Sequence, residues 1–141
     1  MVLWVPLVWG LVTLVSCGPA PCGKQACEDA ITIEFIDGNG WPVLVFEGSV
    51  TLDHVTHRFG CNTAYPFVEG PLKCGVGELL LSGVAAREPI FFVTAISDVN
   101  GYFSGRVDPD YRVEEDFNGP GCGRCASGGV EILLKGPGEG E

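Results

Sequence analysis

The residues of this 141-residue chain best suited to chemistry are its seven cysteines, Cys17, Cys22, Cys27, Cys61, Cys74, Cys122 and Cys125. Cys122-Gly123-Arg124-Cys125 has the C-x-x-C spacing of a dithiol that cycles through a disulfide. A working pair of that kind needs a helix N-terminus or a cation to lower one thiol pKa. Here Asn118-Gly119-Pro120-Gly121 precedes it and Ala126-Ser127-Gly128-Gly129 follows, loop sequence on both sides. A structural role is therefore expected, with thiol-redox or metal-binding use of Cys122 and Cys125 as the rival reading. Cys61, Cys74, Cys122 and Cys125 also offer four sulfurs for zinc, but their spacing is irregular. His54 and His57 lie three apart, which on a strand points them to opposite faces, so they read as surface turn histidines. The stretch Asp108-Pro109-Asp110-Tyr111-Arg112-Val113-Glu114-Glu115-Asp116 is rich in carboxylates but lacks the ordered spacing of a calcium loop. It reads as a solvated face. No Ser/His/Asp order, phosphate loop or paired-carboxylate framing appears, so no catalytic residue, metal site or cofactor is expected.

The elements that must carry these residues are bounded by composition. The chain is long enough for one domain. Lys+Arg 8 against Asp+Glu 18 gives a formal net charge of -10. That excludes the basic face that nucleic acid needs, and equally electrostatic adhesion to anionic lipid. Gly 21 and Pro 10 make a loop-rich chain. Its Leu, Ile, Val and Phe arrive in blocks, which favours a folded core over disorder.

The first sixteen residues, MVLWVPLVWGLVTLVS, carry no charged side chain. As a helix the apolar run Val2 to Val15 would span about 21 Å, short of the roughly 30 Å hydrocarbon core. A signal-peptide apolar region fits better, although no Lys or Arg stands near Met1. Leu14-Val15-Ser16-Cys17 resembles the bacterial lipobox. The resemblance implies cleavage before Cys17, lipid on its sulfur and acylation of its new α-amine. Gly18 in place of Asp implies outer-membrane sorting. A non-lipid signal peptide cut near Cys17-Gly18-Pro19-Ala20 is the alternative. The cysteine count supports the lipid: an exported protein with an odd count must explain one thiol, and removing Cys17 leaves an even set.

After a tether over 17–30, in which only Lys24 to Ala30 has the makings of a helical turn, the chain reads as strand and turn. ITIEFI (31–36) alternates, Asp37-Gly38-Asn39-Gly40 turns, and VLVFEGSVTL (43–52) returns through HRFGC as a hairpin. ELLLSGV (78–84), IFFVTAIS (90–97), YFSGRV (102–107) and VEILLK (130–135) follow. Many strands with almost no helical period predict an all-β, Ig-like antiparallel β-sandwich over 31–136, after a signal peptide at 1–16 and before a tail at 137–141. The expected core is Ile31, Ile33, Phe35, Val50, Leu52, Phe92, Ile96, Phe103, Ile132 and Leu134.

Asp37-Gly38-Asn39-Gly40-Trp41-Pro42-Val43 with Glu47-Gly48-Ser49-Val50-Thr51-Leu52, and later Ser97-Asp98-Val99-Asn100-Gly101-Tyr102-Phe103, resemble the opening and a hairpin of carboxypeptidase-regulatory-like, or prealbumin-like, domains. The family usually has Ala where Ser49 stands and lacks the cysteine-rich insert Cys61 to Cys74. The resemblance implies a non-catalytic accessory or binding module. In Ig-like sandwiches the first and last strands can run side by side and parallel. On that arrangement Cys22 and Cys27 meet Cys122 and Cys125, while Cys61 and Cys74 pair with each other. Local pairing, Cys22–Cys27 and Cys122–Cys125, is the competitor. The expected function is a membrane-anchored envelope lipoprotein whose disulfide-stabilised sandwich is a non-catalytic binding or structural module, with an envelope protein or carbohydrate as the candidate partner.

Overall fold

The computed structural model describes residues 21–136 apart from Asp98. The segments read as signal peptide and lipobox, Cys17 among them, and the tail at 137–141 lie outside the described residues. Ten strands run in chain order: β1 (Ala30–Ile36), β2 (Phe46–Leu52), β3 (Val55–Cys61), β4 (Phe67–Val68), β5 (Leu72–Cys74), β6 (Glu78–Ser82), β7 (Phe91–Ser97), β8 (Gly101–Val107), β9 (Asp110–Glu114) and β10 (Cys125–Leu133). They form two five-stranded sheets, ordered β5-β6-β1-β10-β9 and β4-β3-β2-β7-β8. The protein is an all-β sandwich. Every strand pair is antiparallel except β1 and β10, which run parallel with Ile33 opposite Val130 and Phe35 opposite Ile132.

Alternation builds the core. Ile31, Ile33 and Phe35 of β1 are fully buried, as are Leu79 and Leu81 of β6, which lie across from them. From the facing sheet come Phe46, Val50, Phe59 and Val93. Phe35 and Phe46 approach to 4.6 Å between ring centroids, with Phe59 5.9 Å from Phe46. Edge contacts at such distances add about 0.5–1.5 kcal/mol to the burial itself.

The structure departs from the sequence reading at several points. Lys24 to Ala30 forms no helical turn, and the one helical segment among the described residues is the short 3-10 turn Ala85–Arg87. Phe92 and Ile96 are not core: they are 46% and 47% exposed, and Phe91, Val93 and Ala95 take the inward positions. The doublet Phe91-Phe92 permits either parity, and pairing with β2, which sets Val93 opposite Val50, decides it. Phe103 packs against the core only partly buried. The acidic stretch contains an unforeseen strand, β9, on the open edge of its sheet.

Candidate functional site

Topology gives the sandwich two unlike ends. Because β1 and β10 are parallel neighbours, the chain leading into β1 and the loop leading into β10 share one end. Two disulfides join them there, Cys22–Cys122 and Cys27–Cys125, with Cα–Cα separations of 5.5 and 5.6 Å. Asn118 adds a clasp: its carbonyl accepts from Gly23 N (2.7 Å), its Oδ1 accepts from Gln25 N (2.9 Å), and its Nδ2 donates to Gln25 O (2.8 Å). Asp29 fixes the next step, its Oδ1 accepting from Ala86 N at 2.7 Å. The loops at this end carry Glu28, Asp29, Asp53, Glu88, Asp108, Glu115 and Asp116 against Lys24, Arg87 and Arg124. Arg87 pairs with Asp53 at 2.7 Å.

The pairing is the long-range one, not Cys22–Cys27 with Cys122–Cys125. Each cysteine of the C-x-x-C is therefore bonded to a distant partner. The third bridge, Cys61–Cys74, sits toward the other end, where it ties β3 of one sheet to β5 of the other. The four sulfurs weighed as a zinc set are thus all in disulfides, and the two halves of the set lie toward opposite ends. His54 lies within the β2–β3 turn beside Asp53, both in left-handed conformation (φ 66 and 49), the geometry of a two-residue hairpin turn. His57 lies on β3 opposite Val50. Among the described residues no group of three or more His, Cys, Asp or Glu is arranged to hold a metal ion. In the 108–116 stretch Tyr111 turns inward and donates its hydroxyl to the Pro89 carbonyl. Burial, helped by Asp108 and Glu88, raises the Tyr111 pKa to about 12.

The end away from the disulfide clasp is different in kind. The connections β1–β2, β3–β4, β5–β6 and β7–β8 all gather there. Within them 41–45, 62–66, 75–77 and 99–100 include no charged side chain, while Asp37 and Asp98 belong to the β1–β2 and β7–β8 connections. They hold Trp41 (69% exposed), Tyr65 (88%), Val76 (84%) and Val99 (90%), with Leu44 and Val45 half exposed. Asp37 at the rim is turned into its own loop, its Oδ1 accepting from Asn39 N and Trp41 N. Asn62 Nδ2 donates to Leu44 O at 2.9 Å and holds two of the loops together. Beside them a notch of about 250 Å³ opens among Val45, Phe46, Glu47, Asn62, Ala64 and Ile96. Gly101 lets β8 leave this end close to the last residues of β10: its φ is +102, and a Cβ there would stand 2.0 Å from Lys135 O. Sequence reading placed Trp41, Val99 and Asn100 in the motifs of the prealbumin-like resemblance but did not find the convergence of their loops, which depends on which strands share a sheet.

These features define a class, a disulfide-stabilised β-sandwich with one clasped, charged end and one end rich in exposed apolar side chains. Its three disulfides belong to an oxidising, exported environment. No helix among the described residues is long and apolar enough to cross a membrane. No family model, curated protein or solved structure matches the chain.

Proposed function

We propose that this protein is a lipoprotein of the bacterial envelope, lipid-anchored through Cys17 in the outer membrane, whose sandwich is a non-catalytic module that binds another protein through its apolar end. The observation that carries the reading is the polarity of the domain. The N-terminal chain enters at the clasped end, so an anchor at Cys17 holds that end to the membrane and leaves the apolar loops free to meet a partner. Protein is favoured over carbohydrate because Leu44, Val45, Val76 and Val99 offer a sugar no hydrogen bond, whereas exposed apolar patches with aromatic anchors mark protein contacts.

Two experiments test this. Metabolic labelling with a radioactive fatty acid should mark the parent chain and not Cys17→Ala, and equal label on both would sink the anchor. Gentle crosslinking of intact cells should retain a partner protein on the parent and lose it from Tyr65→Ala/Val99→Asp. Undiminished recovery of that partner by the variant would sink the binding surface.

A further inference from the structure

We infer that one flank of the sandwich is a strand-addition site, which takes a short extended segment of another protein carrying a Lys or Arg opposite Glu131. The site is separate from the apolar loops and does not depend on them.

Backbone directions locate it. Leu134 N donates to the Ile36 carbonyl, so the even-numbered residues of β10 direct their backbone groups at β1. The odd-numbered ones face the other way, because a strand's backbone groups alternate between its two sides. Cys125, Ser127 and Gly129 meet β9 there, and that ladder ends at Gly129 opposite Asp110. Lys135 meets β8 instead: Tyr102 N donates to its carbonyl (2.8 Å), and its own N–H donates to the Tyr102 carbonyl (3.1 Å). This is an isolated bridge, and β8 and β10 are not neighbours in either sheet. Between the two contacts, Glu131 and Leu133 turn two N–H and two C=O groups toward a gap, with no strand paired beside them. An edge of that kind is a template for another strand. The same alternation turns the backbone of Ser104 and Arg106 toward the gap from the facing sheet.

The gap is a cleft of about 530 Å³, with Phe103, Val107, Val130 and Ile132 as its apolar wall. An extended polypeptide is the ligand whose N–H and C=O groups recur at strand spacing while its side chains alternate in and out. Added antiparallel, in line with β9, it exchanges hydrogen bonds with Glu131 and Leu133. Its residues opposite Val130 and Ile132 then turn inward onto the apolar wall. Gly129 and Lys135 lie about 20 Å apart along the strand, so the slot between them holds roughly four residues.

Charge selects the residue opposite Glu131. On the outer face of this sheet Glu78, Glu34 and Glu131 stand in one row across β6, β1 and β10. None of the three belongs to an ion pair among the described residues. The row ends at the slot, and directly opposed charges stabilise when opposite in sign and destabilise when alike. Arg106 and Asp108, on the β8 side of the cleft, are one of each sign, and Lys135 stands at its closed end. A net charge of -10 also draws a basic segment toward this chain.

The test titrates the full chain, isotopically labelled and held in detergent, with the peptide acetyl-Thr-Val-Lys-Val-amide. Its residues stand opposite Leu133, Ile132, Glu131 and Val130 in that order. Amide shifts should move and amide exchange should slow at Glu131 and Leu133, and neither should change at Tyr65 and Val76. Glu in place of the peptide's Lys should weaken binding roughly fivefold. N-methylation of that Lys, which removes the donor to the Glu131 carbonyl, should weaken it roughly tenfold. Leu133→Pro removes a slot-facing N–H and no β1–β10 bond, and should weaken it similarly. Glu131→Lys, a change at an exposed side chain, should reverse the preference in favour of the Glu peptide. No response at Glu131 and Leu133 to millimolar peptide overturns the site. Responses confined to Tyr65 and Val76 overturn it too, by placing the peptide on the apolar loops. Equal affinity for the Lys and Glu peptides, or no reversal in Glu131→Lys, overturns the basic segment as its occupant.

Discussion

Cys22–Cys122 and Cys27–Cys125 cross in sequence, and this makes their contributions interdependent. Sequence separations of 100 and 98 look like two very large loops, each worth about 4.7 kcal/mol in the chain-entropy model. They are nearly the same loop. With one bridge closed, the other closes only the ring formed by Cys22 to Cys27 and Cys122 to Cys125, roughly eight residues, worth about 2.5 kcal/mol. Cys22→Ser/Cys122→Ser should therefore cost about 2.5 kcal/mol, and so should Cys27→Ser/Cys125→Ser. Removing all four should cost about 7 kcal/mol, some 2 kcal/mol beyond the sum of the separate losses and within reach of the whole stability of such a domain. Urea titration under non-reducing conditions, with the slope checked against the parent, measures each value. Costs that simply add, or a single bridge worth nearly 5 kcal/mol by itself, would refute this account.

Three further outcomes are expected. Phe59, fully buried against Phe35 and Phe46, should cost about 3–5 kcal/mol when changed to Ala, read as a fall in the urea midpoint. Tyr111 should ionise near pH 12, followed by phenolate absorbance with Tyr111→Phe as the reference. Its folded pKa lies above its ordinary value of about 10, so the stability it contributes is fully present below pH 10. That contribution is lost as pH rises from 10 through 12, because the unfolded chain releases the proton first. Tyr111→Phe should flatten that part of the stability profile. Gly101→Ala should cost about 1–3 kcal/mol, since φ is +102 and the added Cβ meets Lys135 O, and amide exchange at Tyr102 and Lys135 should quicken.

The sandwich was legible where one sheet face is buried and the other wet, because a period of two then shows in the residues. Thr32 and Glu34 alternating with Ile31, Ile33 and Phe35 display β1 directly. The signal fails where that contrast is missing. In β7 both Phe91 and Phe92 are large and apolar, so the sequence does not state the parity and the partner strand sets it. In β9 an exposed edge lets Asp110, Arg112 and Glu114 outnumber Tyr111 and Val113, and the strand looks like a charged loop. β4 and β5, of two and three residues, are too short to alternate at all. The apolar end was illegible for another reason. Trp41, Tyr65, Val76 and Val99 are far apart in the chain, and only the sheet order brings their turns together.

Cys61–Cys74 is the bridge with a bearing on that end. It closes a ring of 13 residues, worth about 3 kcal/mol. Its location matters more than its magnitude. Cys61 is buried at the end of β3, immediately before the 62–66 loop, and Cys74 ends β5, immediately before the 75–77 loop. The bridge therefore holds two of the four apolar loops, from two different sheets, at one fixed separation. Asn62, left-handed with φ 55, extends that hold to Leu44 through its side-chain amide. Cys61→Ala/Cys74→Ala should accordingly loosen one end of the molecule and not the other. Hydrogen exchange should accelerate at the amides of 62–66 and 75–77. It should stay at the parent's rate at Gly23 and Gln25, which the clasp and Asn118 hold independently. Removal of Cys22–Cys122 should give the reverse pattern. Uniform acceleration in both variants would show that the two ends share one opening event, and the separation of a clasped end from a presented end would then fail.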